Sequence, residues 1–222
     1  MRPPLIPHSA PDTKMKDEPS KQEHAGRVNE VRLTVKAHLV PFFFLLLQRG
    51  FTQKIQAGCS VRSLLSDQFG LSAEYIENRI QTLFLNGKSV DDIDAAIVRD
   101  GSSLALSSAM PGVLGATLRR GGYYSRMRSQ ITHVESAAPP RWTDGRIVVK
   151  LFNLTIRELG PLFLARGIWV DAESLKDFFR SRPNDWWDGC VEAEVDGRNI
   201  GITEMPNRDF AGSPVHLQVR TV

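Results

Sequence analysis

The sequence predicts an α+β fold in which one set of strands and helix is followed by a second, diverged set. Three observations carry this: tight-turn dipeptides between alternating apolar runs, an apolar helix spacing bounded by a cap and a glycine, and an ordered echo of both about 110 residues further on. The stretch from Thr82 to Met110 organises the first set. Leu83 and Leu85 alternate with Thr82 and Phe84 before Asn86-Gly87, a dipeptide that tolerates the positive φ angles of a type I′ hairpin turn. Asp100-Gly101 is a second turn signal, and Leu104 and Leu106 alternate with small residues up to Ser108 as a half-buried strand does.

Upstream, Val61, Leu64, Leu65 and Phe69 recur at helical spacing behind Ser60, with Gly70 following. That predicts an amphipathic helix with Ser60 as N-cap and Gly70 as its stop. Residues 1–27 hold five prolines among Lys, Asp, Glu and Ser with little apolar material, which predicts a disordered tail. Val31, Leu33 and Val35 then alternate with polar residues as a first strand. The apolar run Leu39 to Leu47, interrupted by Pro41, is expected to be a short helix or packed loop before a second strand near Phe51 to Ile55. At nine residues it is far short of the roughly 20 that span a bilayer. A first domain over 28–118 follows, then an Arg/Gly-rich segment and linker over 119–143, with Ala137, Ala138, Pro139 and Pro140 inside it.

The second domain, 144–222, repeats the signals in order. Ile147, Val149 and Leu151 match the first strand, and LGPLFLARG echoes FFFLLLQRG, each ending in Arg-Gly (Arg49-Gly50 and Arg166-Gly167). Leu175, Phe178 and Phe179 match the helix spacing, Asp196-Gly197 sits where Asn86-Gly87 does, and Val215, Leu217 and Val219 form a closing strand. The ordered coincidences favour duplication; the alternative is one α+β domain whose C-terminal strands pair with the first sheet. Trp186-Trp187 is expected in the core of the second set rather than as an exposed anchor.

The order strand, strand, helix, strand, NG turn, DG turn and final strand, in segments such as GCSVRSLLSDQFGL, FLNGKSVDD and VRDGSSLALSSAMPG, resembles the β-grasp (ubiquitin-like) superfamily. It is most similar to the small sulfur carriers, the molybdopterin synthase small subunit and the thiamine sulfur carrier. The resemblance spans about Val31 to Gly122 and implies two β-grasp units in tandem, the second diverged. It also implies a role for Leu118-Arg119-Arg120-Gly121-Gly122. Carriers and modifiers of that superfamily end on a flexible Gly-Gly whose carboxylate an adenylating (E1-like) partner enzyme activates. Two residues without Cβ make a thin, permissive thread that enters a narrow active site. Here Gly121 and Gly122 are internal, so carrier or modifier chemistry requires cleavage after Gly122.

The net charge of +3, from 28 basic against 25 acidic residues, is too balanced to imply nucleic acid by itself. Two distant cysteines, Cys59 and Cys190, offer neither a disulfide scaffold nor a metal cluster. With no apolar leader at the N-terminus, the expectation is a cytoplasmic protein. Cys59 precedes the capping Ser60, where a helix N-terminus lowers a thiol pKa; without a partner base the expectation is an inert thiol. The five histidines are scattered, and Asp91, Asp92 and Asp94 read as a solvated turn rather than an acid/base pair. No catalytic, metal or cofactor constellation emerges. The primary expectation is therefore a non-enzymatic interaction module. The alternative is an anion or nucleic-acid binding module in which Arg119, Arg120, Arg126 and Arg128 hold phosphate or carboxylate beside Tyr123 and Tyr124.

Overall fold

The computed structural model describes residues 29–124, 128, 132–133, 142–210 and 214–222. The tail expected over 1–27, linker residues 136–141 and the candidate Arg126 lie outside the described residues. Strand β1 (Asn29–Val35) leads through a 3₁₀ segment, Ala37–Phe43, into helix α1 (Phe44–Arg49) and strand β2 (Phe51–Ala57). Short β3 (Cys59–Ser60) opens helix α2 (Val61–Ser63), which widens over Leu64–Gln68 and is followed by α3 (Ala73–Asn78). The hairpin β4 (Thr82–Leu85) and β5 (Lys88–Ser89), then β6 (Ile97–Val98), β7 (Ser103–Ser107) and α4 (Gly112–Leu118) complete the first half. The second half runs β8 (Thr143–Phe152), α5 (Asn153–Arg166), β9 (Ile168–Val170), α6 (Ala172–Arg180), α7 (Asn184–Trp187), the hairpin β10 (Cys190–Val195) and β11 (Arg198–Asn199), and β12 (Val215–Thr221).

The α+β class is as expected, and the local signals act where they were read. Ser60 Oγ accepts the N–H of Ser63, and Asp171 does the same for Ser174 at the head of α6. Asn86 and Gly87 have φ of 53° and 77°, Asp196 and Gly197 of 52° and 76°, so both hairpins turn as type I′. The run Leu39 to Leu47 is the 3₁₀ segment and α1, with Leu39, Phe43, Leu46 and Leu47 buried. No helix of the described residues is long and apolar enough to cross a membrane.

Strand pairing is where the fold departs from two sets laid end to end. Ten strands form one mixed sheet in the order β11-β10-β1-β12-β9-β2-β8-β7-β4-β5. Strand β8 from the second half lies between β2 (antiparallel) and β7 (parallel). Strand β1 from the first half lies between β10 (antiparallel) and β12 (parallel). Each five-strand group thus holds one opening strand from the opposite half. The groups meet at a single bridge, Thr52 to Trp169.

Alternation fixes the faces. Val31, Leu33 and Val35, Ile147, Val149 and Leu151, and Val215, Leu217 and Val219 are buried in one apolar cluster with the helices. There Phe163 of α5 meets Phe51 and Phe69, each at 5.1 Å between ring centroids, while Phe43 meets Phe178 at 5.0 Å. Trp186 and Trp187 are buried, as expected of core residues. The intervening residues, among them Arg32, Lys54, Arg146, Lys150, Trp169 and His216, share the opposite face and stay half-buried or exposed.

The two Arg-Gly junctions have the same geometry. Gly50 (φ 119°, ψ 139°) and Gly167 (φ 101°, ψ 138°) each donate to the carbonyl four residues back, Leu46 and Phe163, and turn the connecting helix into the next strand. A Cβ on Gly50 would stand 2.9 Å from Val148 Cγ1, and one on Gly167 would stand 2.3 Å from His216 Nε2. Both the φ angle and the close approach therefore demand glycine. Gly50→Ala and Gly167→Ala are each expected to cost about 1–3 kcal/mol of stability, with Gly167→Ala the larger, as read from the midpoint of urea unfolding. Midpoints unchanged from the native chain would contradict this geometry.

Candidate functional site

The segment singled out by sequence closes a cleft of about 590 Å³ whose walls include Arg62, Glu77, Gln81, Asp91, Asp94, Arg119, Arg120 and Gly121. Arg62 enters it from the first turn of α2, held there by the Ser60 cap. Its guanidinium takes Asp94 with Nε at 2.5 Å and Nη2 at 3.1 Å, and reaches Glu77 Oε1 with Nη1 at 2.8 Å. Arg62 holds both the Asp94 and the Glu77 carboxyls below the ordinary carboxylate range, chiefly by these hydrogen bonds. Glu77 Oε2 accepts in turn from Arg120 Nη2 at 3.0 Å, which also reaches the carbonyl of Ile76.

Asp91 anchors the opposite wall. Its Oδ1 accepts from the N–H of Gly121 at 3.0 Å and from Arg128 Nη2 at 2.6 Å. The Arg128 side chain is only 4% exposed, and its Nε also donates to the carbonyl of Thr117 at 2.6 Å. Asp92 caps its own turn, accepting from the N–H groups of Asp94 and Ala95. Asp92 and Asp94 are exposed, as expected of a solvated turn, and Asp91 is half-buried; each also has a structural partner, and none is paired with a second carboxylate among the described residues. Arg62, which sequence reading passed over, is the hub. Its only local sign was its place in the first turn of a capped helix.

The candidate residues separate into two kinds. Arg120 and Arg128 are engaged in internal ion pairs, while Arg119 has an exposed side chain with no ion pair among the described residues. Gly121 (φ 61°) and Gly122 sit in a turn tied from both sides: Arg120 N–H donates to Gln81, Gly121 N–H to Asp91 and Gly122 N–H to Arg119. The pair is thus a bonded turn beside the sheet and not a loose thread. Tyr123 is 89% exposed and stacks edge-to-face on Tyr124 at 5.1 Å.

Comparison with protein-family models, curated proteins and solved structures finds no match for this chain. Among the described residues no three His, Cys, Asp or Glu side chains gather as a metal site. The thiols are buried. Burial pushes Cys59 up, against any pull from the α2 N-terminus, and pushes Cys190 up to about 11.

Two outcomes follow from these contacts. Asp91→Ala removes the partner of a buried guanidinium; the cost is expected at roughly 2–3 kcal/mol, below the 3–5 kcal/mol of a fully buried pair because Asp91 is about a third exposed. Chemical denaturation checks this, and a loss under 0.5 kcal/mol would remove the pair from the account. Both thiols are buried and raised by that burial, so a thiol-reactive disulfide reagent at pH 8 is expected to label the native chain at least tenfold more slowly than the urea-unfolded chain; equal rates would contradict their burial.

Proposed function

We propose that this chain is a non-enzymatic protein-interaction module of the ubiquitin-like, sulfur-carrier-like kind, built from two β-grasp halves that have exchanged their opening strands. The observation that carries the reading is the pair of parallel couplings β7 with β8 and β1 with β12, each joining an opening strand to a closing strand at the centre of a five-strand group. In each group a helix-covered sheet couples the opening strand of one half to the closing strand of the other, so the same arrangement occurs twice. The matched Arg-Gly junctions and type I′ hairpins support a repeated design. So does a shared side-chain contact: Asn86 Oδ1 accepts from Ser103 N–H in one group, and Asp196 Oδ1 from Glu30 N–H in the other.

Within this reading the bonded turn at Gly121-Gly122 favours an intact module over one matured by cleavage. An adenylating (E1-like) enzyme is then a partner met through the folded surface. The anion or nucleic-acid alternative loses Arg120 and Arg128 to internal pairing and retains Arg119 with the tyrosine pair. The reading invokes no cofactor and a cytoplasmic location.

The test is intact-mass analysis with chemical cross-linking on protein recovered from its native cells. The expected result is the chain continuing past Gly122, cross-linked to a protein partner. A fragment ending at Gly122 with an added sulfur or conjugate would replace this reading by carrier or modifier chemistry. A chain that cross-links to nothing would overturn it.

A further inference from the structure

The sheet face opposite the described helices carries a local imbalance of charge. Around the junction of the two groups, Thr52 pairs with Val148 and with Trp169, Lys54 with Arg146, and Trp169 with His216, so all these side chains, and Lys150 two residues from Val148, share that face. Lys54, Arg146 and Lys150 have no carboxylate within ion-pair distance among the described residues. Two carboxylates sit at one end of this face: Asp144 shares it and accepts from the Gln56 amide, and Asp100 Oδ1 accepts from the backbone N–H of Arg146, so three cations face two acids there. Further along the same face the charges are balanced, with Arg32 between Glu30 and Glu194 at 2.8 Å each and Glu30 beside His216 at 3.6 Å.

The unpaired ammonium groups are held, not loose. Lys54 Nζ lies 4.5 Å from the centroid of the Trp169 ring, a cation–π contact that holds the side chain in place. The stem of Lys150 crosses the space that a Cβ on Gly50 would fill, with Cε 3.2 Å from that position. A cation on a prepositioned stem loses less side-chain entropy on binding than a free surface lysine does.

We infer that the face formed by Lys54, Arg146 and Lys150 around Val148 and Trp169 docks an acidic segment of a protein partner. This rests on the interaction-module reading above and assigns its surface and the chemistry it recognises. Charge complementarity selects an anionic occupant. Among anions, single-stranded nucleic acid needs free aromatic faces on which bases stack, and Trp169 is already contacted from both neighbouring strands, by Lys54 and by the His216 ring at 4.8 Å. Carboxylates of a peptide need only the ammonium and guanidinium groups.

Fluorescence anisotropy on the full chain tests this, with a labelled 20-residue polyglutamate peptide and a labelled 20-nucleotide oligothymidine as probes at about 50 and 200 mM salt. Native chain, Lys54→Glu/Lys150→Glu and Arg119→Glu are compared, each checked for folding by circular dichroism. The expected result is salt-sensitive binding of polyglutamate that falls at least tenfold in Lys54→Glu/Lys150→Glu and less than twofold in Arg119→Glu, with oligothymidine weaker throughout. Absent polyglutamate binding, equal loss in Arg119→Glu, or tighter binding of oligothymidine would each overturn the assignment. A folded double variant that binds as the native chain does would also overturn it. Cross-linking in native cells assumes nothing about charge, so a failure here is separable from a failure of the interaction module itself.

Discussion

The two parallel couplings, β7 with β8 and β1 with β12, are the constraint on which the rest of the structure depends. Each puts a strand from one half of the chain into the sheet centre of the other, so neither group of five strands is complete without both halves. The connecting helices α1 and α5 are consequently crossings between groups as well as covers for the sheet. They pack on each other, and a Cβ at Gly160 of α5 would lie 3.0 Å from both Leu47 and Phe44. Among the described residues the strand pairing between the groups is one bridge, with the Gln53 amide donating beside it to the carbonyl of Gly167. Exchanged strands and shared helices, rather than sheet continuity, hold the halves together.

How much of this was legible in the sequence follows from the range of each signal. Turn dipeptides and caps act within four residues, so Asn86-Gly87, Asp196-Gly197 and Ser60 declared themselves and the structure uses them as read. Alternation in Val31 to Val35 and Ile147 to Leu151 fixed which face is buried. It carries no information on the neighbouring strand, since any strand of the same apolar period satisfies it. That is why alternation alone did not place β1 and β8, although the single-domain alternative had C-terminal strands pairing with the first sheet, as β12 does with β1. The repeated Arg-Gly was visible as a coincidence of letters, and its reason is backbone conformation at Gly50 and Gly167.

The candidate site shows the same limit. Arg119 to Gly122 stood out because Arg and Gly are dense there, and the segment does line a cleft. Its partners come from far along the chain: Asp91 for Gly121 and Arg128, Glu77 for Arg120, Arg62 for Glu77. Local composition suggested free cations, and long-range contacts turned two of them into struts. Besides Arg119, the unpaired cations Lys54, Arg146 and Lys150 lie on strands β2 and β8, where each is a single charge among alternating residues and no local cluster announces it.

The coupling of β1 to β12 also has a mechanical side. The strands are parallel and in register from Asn29 beside Val215 to Val35 beside Thr221, and the N–H of Val222 donates to the carbonyl of Val35. A force drawing Asn29 and Val222 apart therefore pulls along the strands in opposite directions. It loads their hydrogen bonds in shear, all together, where an antiparallel hairpin pulled from its open end would unzip one bond at a time. This pair, set between β10 and β9, gives the sheet a clasp that resists tension along the strands.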